Sequence, residues 1–244
     1  MAVMTQQQTT TSKDENGSYF NADHFELMQS IMYPHKAKKG AYLFWEGEDA
    51  GKLYYIRSGR VKLLKSTEDG RNLILSIMRQ GDLFGELGSF GEGLNSFSAE
   101  IIEDADIGII QKKDLEVLLY QHGDFAVEFM KWMAMMHQTT QSKFRDLLFY
   151  GKQGALASTL IRMSNSYGVH CTEGTRLNIK LTNAEIADMI GATRESVNRM
   201  LSAFKDEGIV EMKNGKLVIR RMEDLRYVCN CPKYPACPKE ICRI

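Results

Sequence analysis

Thr182-Asn183-Ala184-Glu185-Ile186-Ala187-Asp188-Met189-Ile190-Gly191-Ala192-Thr193-Arg194-Glu195-Ser196-Val197-Asn198-Arg199 is the stretch that decides the fold of the second half of this chain. Thr182 followed three residues later by Glu185 has the form of a capping box, in which hydroxyl and carboxylate satisfy the free N–H groups at a helix start. The helix it opens, Ala184 to Ile190, contains Ala187, a small residue where a second helix can cross closely. Gly191 supplies the tight turn, Thr193 caps the next helix and Val197 points inward. The spacing of Ala187, Gly191 and Val197 is that of a helix-turn-helix. On the second helix, Val197, Met200, Leu201 and Phe204 form the inward face. Arg194, Glu195, Asn198 and Arg199 cluster on the other, since offsets of one, four and five lie together on a helix. Arginine can bond guanine bidentately and glutamate can accept from cytosine N4, so this set suits the major groove of double-stranded DNA. The bland alternative is a solvated charged face.

Beyond Gly208, the apolar runs Ile209–Met212 and Leu217–Ile219 flank Lys213-Asn214-Gly215-Lys216. Asn-Gly between two apolar runs is a strong hairpin signal, which supplies the wing of a winged helix-turn-helix.

Towards the N-terminus, His122 to Tyr150 has helical periodicity. Ala126, Met130, Met133, His137, Thr140, Phe144 and Leu147 recur at steps of four and three, a heptad seam. A second stripe, Phe125, Phe129, Trp132 and Met136, widens the apolar face of the first half. One stripe can pack on a domain while the other meets a partner, and a parallel coiled-coil homodimer is the expected consequence. Methionine at this spacing is core filler more often than metal ligand. His137 reads as a polar register marker in the seam, and Asp146 most simply as a solvated or salt-bridged acid.

Lys39 to Lys113 reads as all-β. Ala41–Trp45, Leu53–Ile56, Arg60–Leu64, Leu73–Ile77 and Ile107–Ile110 are short runs rich in aromatic or β-branched residues, separated by Gly40, Gly47, Gly51, Gly59, Gly70, Gly81 and Gly85. That pattern suggests a sandwich or small barrel, with Glu68-Asp69-Gly70-Arg71 as a hairpin turn.

The last sixteen residues hold four of the five cysteines: Cys229, Cys231, Cys237 and Cys242. Thiolates are the soft ligands that zinc and iron–sulfur centres prefer. The gaps of one, five and four residues are not the regular loops of ferredoxins. Cys229, Cys231, Cys237 and Cys242 can fill all four corners of a cluster; Cys229 and Cys231 are close enough that one can be spare, so Cys231, Cys237 and Cys242 rank as the likelier metal ligands, with Asp146 then a candidate non-cysteine fourth. A four-thiolate zinc site and a disulfide switch are the alternatives. Cys171, alone before Thr172-Glu173-Gly174, reads as structural or incidental.

Two segments resemble the CRP/FNR family of bacterial regulators. Gly81-Asp82-Leu83-Phe84-Gly85-Glu86-Leu87-Gly88 followed by Ser98-Ala99 is similar to the family's cyclic-nucleotide-binding sensory domain. In cAMP-binding members, Gly-Glu-Leu and a downstream Arg-Ser-Ala hold the ribose and phosphate. Here Gly85, Glu86 and Leu87 are kept, but Phe97 stands where the arginine would be, so no cAMP is expected. Thr193–Arg199 is similar to the family's recognition helix, nearer the CRP form with Arg-Glu and a later Arg. The resemblance covers roughly residues 25 to 225.

The family's common oxygen-sensing members carry their cluster cysteines near the N-terminus, and this chain has none before Cys171. Cysteines after the winged helix are instead similar to the Bacillus-type FNR regulators. The resemblance implies a homodimer with a [4Fe–4S] cluster, a palindrome of TGTGA-like half-sites, and RNA polymerase as a partner. The fold implied is α+β: a disordered arm (1–20), a cupin-like β-roll (21–120), a dimerisation helix (121–150), the winged helix-turn-helix (151–226) and a cysteine tail (227–244).

Composition is ordinary for a 244-residue globular chain, and its zero formal charge gives no electrostatic hint of nucleic acid. No apolar run approaches the roughly 20 residues that span a bilayer. The first eighteen residues are polar and lack a signal-peptide centre. The cytoplasm is therefore the expected location, with no membrane partner. No phosphate loop, metalloprotease motif or nucleophile–base pair suggests an enzyme. A regulator with a structural zinc tail and a small-molecule ligand in the β-domain remains the alternative.

Overall fold

A computed structural model of the chain describes residues 19–88, 93–232 and 237–244. Asn21 caps α1 (Ala22–Ser30), its side-chain oxygen accepting from the His24 N–H. There follow β1 (Met32–Ala37), β2 (Tyr42–Phe44), β3 (Lys52–Ser66), β4 (Asn72–Arg79), β5 (Leu83–Glu86), β6 (Ser98–Gln111) and α2 (Lys112–Gln121). The strands form one antiparallel sheet in the order β1-β6-β3-β4, with β2 on β6 and β5 on β3. Ile56, Val61, Ile101 and Ile107 are fully buried in its core.

β5 and the first half of β6 lie beyond the expected runs, and two further features differ from the sequence-based expectation. β1 contains Pro34 and no apolar alternation, and it precedes the expected start at Lys39. It pairs with β6 at the sheet edge, where an absent N–H costs no second ladder. Leu53–Ile56 and Arg60–Leu64, expected as separate strands, are one strand, β3. Gly59, at φ +89, sits in it among register shifts from Ile56 to Val61, and a Cβ there would collide with the Asp104 carbonyl and Ala105. Gly59 therefore marks a bulge rather than a turn. The Glu68–Arg71 hairpin turn joins β3 to β4 as expected.

Residues 1–18 of the expected arm lie outside the described residues. Its last residue belongs to the fold: Phe20 is 2 % exposed and its ring lies 5.7 Å from Phe125 and 6.5 Å from Trp132.

α3 (Gly123–Tyr167) is helical on both sides of Gly151, whose φ of 59° and ψ of −164° break it. Side-chain-bearing residues almost never adopt that combination. The first segment therefore ends where the connecting helix was expected to end. Its two stripes separate: Phe125, Phe129 and Trp132 are buried against α1 and the β-domain, whereas Met130, Met133 and Phe144 are 59 %, 52 % and 63 % exposed.

The second segment of α3 begins the C-terminal domain. β7 (Gly168–Cys171) and β8 (Gly174–Leu177) form a hairpin absent from the sequence-based reading. α4 (Asn183–Met189), α5 (Arg194–Asp206), β9 (Val210–Lys213), β10 (Lys216–Ile219) and α6 (Met222–Val228) complete a winged helix-turn-helix. Its sheet runs β7-β8-β10-β9, and Asn214 and Gly215 turn the wing with positive φ. Ile74 and Ile77 of β4 share a core with Leu156, Leu160, Ile186 and Ile190, so the two domains are packed together.

His24 ties α1 to α3. Its Nε2 lies 3.2 Å from Asp124 and its Nδ1 2.5 Å from Glu128, with Asn21 alongside. Burial opposes protonation, but the two carboxylates outweigh it and hold the imidazole pKa above its ordinary value. A raised folded pKa stabilises fully below about pH 6.5 and loses that stabilisation as pH rises through the folded value. The melting-temperature gap between the native chain and His24→Gln should therefore be widest in acid and close as pH rises. A gap that is constant with pH refutes this.

Candidate functional site

The capping box is present: the Glu185 N–H donates to Thr182 Oγ1 at 3.1 Å, and the Thr182 N–H donates to Glu185 Oε2 at 2.8 Å. Thr193 likewise accepts from the Ser196 N–H at 3.2 Å and starts α5. Val197, Leu201 and Phe204 are buried, with Met200 partly so. Arg194, Glu195, Asn198 and Arg199 are all exposed on one face of α5. One residue beyond the sequence-based set joins them: Asn183 Nδ2 donates to Asn198 Oδ1 at 2.5 Å across the helix-turn-helix. This face presents donors and one carboxylate with no protein covering them, the pattern that base edges in a major groove require.

Removing the Arg199 fork by Arg199→Ala should cost roughly 1–3 kcal/mol of DNA binding and relax choice at one base position. Equal loss on every DNA sequence would make Arg199 a phosphate contact instead.

At the chain's other end, the tail folds back beneath α3. Cys229, at the C-terminus of α6, is 3 % exposed within the shared core, and burial, with neighbouring Cys231 and Asp146, pushes its thiol up to about 12. Burial also raises Cys231, helped by Cys237, and raises Cys242, with Arg162 pulling the other way. Cys231 and Cys242 thus each lie within electrostatic reach of Cys237 and Asp146. Among the described residues, however, no three are closed into metal-binding geometry. The donor chemistry fits a thiolate-ligated centre, while the ligand shell is not drawn together. Lys233 to Ala236, between two of the cysteines, lie outside the described residues.

Asp146 is not solvated; it is 3 % exposed and fully engaged. Arg145 donates to Oδ1 at 2.6 and 3.0 Å, and Arg162 donates to Oδ2 at 3.0 Å, where the Ser158 hydroxyl also bonds. Arg162 further donates to the Ile241 carbonyl at 3.1 Å, joining Asp146 to the tail. Arg162, Ser158 and Arg145 were missed in the sequence. Only the i,i+4 spacing of Ser158 and Arg162 hinted at a pair. Cys171 faces the Gly174 carbonyl at 3.4 Å in the β7–β8 hairpin, away from this group.

In the β-domain, Glu86 is already satisfied: it accepts from the Ser96 backbone N–H at 2.5 Å and hydroxyl at 2.6 Å. Phe97 packs 5.6 Å from Phe44, and the Ser98 hydroxyl accepts from the Glu46 N–H at 2.8 Å. A cavity of about 1020 Å³ lies between this domain, α3 and the winged helix, lined among others by Leu63, Leu75, Phe97, Met133, Lys143 and Phe144. Lys143 donates to the Leu75 carbonyl at 3.0 Å, and burial pushes its pKa down to about 7.

A cyclic nucleotide-binding domain model matches residues 34–122, and a Crp-like helix-turn-helix domain model matches residues 154–228. The chain is 43 % identical over 234 residues to the anaerobic regulatory protein of Bacillus subtilis (strain 168), covering 95 % of this chain and 97 % of that one. The chain belongs to the CRP/FNR family of transcription regulators. It is also 32 % identical over 195 residues to the cAMP-activated global transcriptional regulator CRP of Escherichia coli O157:H7, covering 80 % of this chain and 92 % of that one. A CooA mutant from Carboxydothermus hydrogenoformans shares the fold, with a TM-score of 0.71 at 22 % identity over 82 % of this chain and 89 % of that chain.

Membership in the CRP/FNR family accounts for the order of β-domain, long helix and winged helix-turn-helix. The Crp-like model stops at Val228, one residue before Cys229. The match to the Bacillus protein spans 234 residues, more than the 228 that precede Cys229, so it reaches into the tail.

Proposed function

We propose that this chain is an oxygen-responsive regulator of anaerobic gene expression, binding a palindrome of TGTGA-like half-sites as a homodimer while Cys231, Cys237 and Cys242 hold a [4Fe–4S] cluster. The observation that carries this reading is the grouping of four cysteines in the last sixteen residues, directly after the winged helix, in a chain of a transcription-regulator family. The name of the Bacillus relative, an anaerobic regulatory protein, supports it. A cluster of this kind supplies a centre that oxygen attacks.

The residues around it have separate tasks. The cysteines would donate thiolates, with Asp146 as a fourth ligand once Arg145 and Arg162 release it. Cys229 stays in the core. The exposed seam of Met130, Met133, His137, Thr140, Phe144 and Leu147 pairs two copies of α3. Pairing sets the two α5 helices about 34 Å apart, one turn of DNA. Arg194, Glu195, Asn198 and Arg199 then read the half-sites, and RNA polymerase is the partner at the promoter. Phe97 offers no guanidinium to a phosphate, so cAMP is not the effector.

The test is a visible absorption spectrum of protein purified without oxygen, followed as air enters. A broad band near about 400 nm that bleaches, with parallel loss of DNA binding, is the expected result, since an iron–sulfur centre is coloured and oxygen-labile. A colourless protein with stoichiometric zinc overturns it. The second reading is a structural zinc tail with a small-molecule ligand at the β-domain wall of the cavity beside Lys143, and a thermal shift with that ligand detects it.

A further inference from the structure

The last four residues bridge two domains. Arg243 donates to Asp82 Oδ1 at 2.8 Å, and its guanidinium lies 5.1 Å from the centre of the Tyr19 ring. Both charged partners are buried, Arg243 at 7 % and Asp82 at 1 % exposure. Asp82 and Tyr19 belong to the β-domain. The neighbouring residues hold the other side: the Ile244 N–H donates to Ser166 Oγ at 3.1 Å, and Asn165 Nδ2 donates to the Cys242 carbonyl at 2.6 Å. Ser166, Asn165 and Arg162 all lie in the second segment of α3, beyond Gly151. The Ile244 side chain is buried in the core that Ile74 and Ile77 share with the winged helix.

Other polar contacts cross the same junction. Arg79 donates to the Ser166 carbonyl, and Arg60 and Arg79 lie over the Tyr167 ring at 5.1 and 5.8 Å. A buried ion pair whose partner is removed leaves an uncompensated charge, so its loss is felt far more than that of a surface pair.

We propose that Ile241–Ile244 is a clasp that holds the winged-helix domain docked on the β-domain, with the Arg243–Asp82 pair as its catch. Cys242 is adjacent in sequence to Arg243, and Arg162 bonds both Asp146 and the Ile241 carbonyl. The cysteine tail and the domain junction therefore share one polar network.

The test is amide hydrogen exchange on metal-free protein under reductant, comparing the native chain with Arg243→Ala and with a chain ending at Cys242. Both variants should exchange at least about tenfold faster in β4 (Ile74 to Ile77) and α4, while β6 around Ile107 stays unchanged and reports an intact β-domain. Exchange in β4 and α4 equal to the native chain in both variants overturns the clasp.

Discussion

Cys242→Ser, Cys237→Ser and Cys231→Ser proteins, each purified without oxygen, are expected to be colourless, while Cys229→Ser keeps the chromophore. A serine oxygen is a hard donor and replaces a thiolate poorly at an iron–sulfur centre. Cys229 differs from the other three in its surroundings. It is packed into the core at the end of α6, and burial pushes its thiol up to about 12. Taking it as a ligand would pull a core residue out of its site. Iron and sulfide analysis with the visible spectrum checks the four variants together. A coloured Cys237→Ser protein, or a folded but colourless Cys229→Ser protein, refutes the ligand assignment. Asp146 needs a gentler change. Truncation would strand Arg162 in a buried site at a cost of about 3–5 kcal/mol. Asp146→Asn keeps the shape, and full cluster content with native DNA affinity in that protein removes Asp146 from the ligand set.

Met133→Glu is expected to convert the dimer to monomer and to weaken DNA binding by about 10²–10⁴-fold, the range lost when two linked half-site contacts become independent. Met133 is half-exposed in the single chain although it lies on the apolar seam. A dimer would bring the two copies of this position face to face at a core position of the coiled coil, where a pair of carboxylates is repelled and desolvated. Val117→Glu is the control: Val117 is similarly exposed but lies in α2, off the seam, and that protein should remain dimeric. Sedimentation and DNA titration at fixed salt decide it, since affinity for DNA varies steeply with ionic strength. A dimeric Met133→Glu protein moves the interface elsewhere.

Local chemistry made the winged helix-turn-helix readable. Thr182, Glu185 and Thr193 bond within three residues of themselves, and Asn214-Gly215 declares its own turn. The two stripes of α3 were readable because burial follows helical period, with Phe125, Phe129 and Trp132 inside and Met130 and Met133 outside. β1 was not, because Pro34 and charged neighbours are tolerated only by its edge position, which is a property of the sheet. Gly59 looked like a turn because glycine serves bulges and turns equally. The partners of Asp146 and Arg243 were hidden for a different reason. Arg243 and Asp82 stand 161 residues apart, and no periodicity links positions at that separation.

Gly151 has a mechanical consequence. A kinked helix that strained its backbone could act as a spring, returning the winged domain to one angle. Gly151 has no side chain to distort, and a Cβ built on it would meet nothing within 4 Å. Gly151 therefore sets no angle by side-chain contact, and the position of the winged domain rests on the surfaces packed across the joint, Ile74 and Ile77 against Ile186 and Ile190.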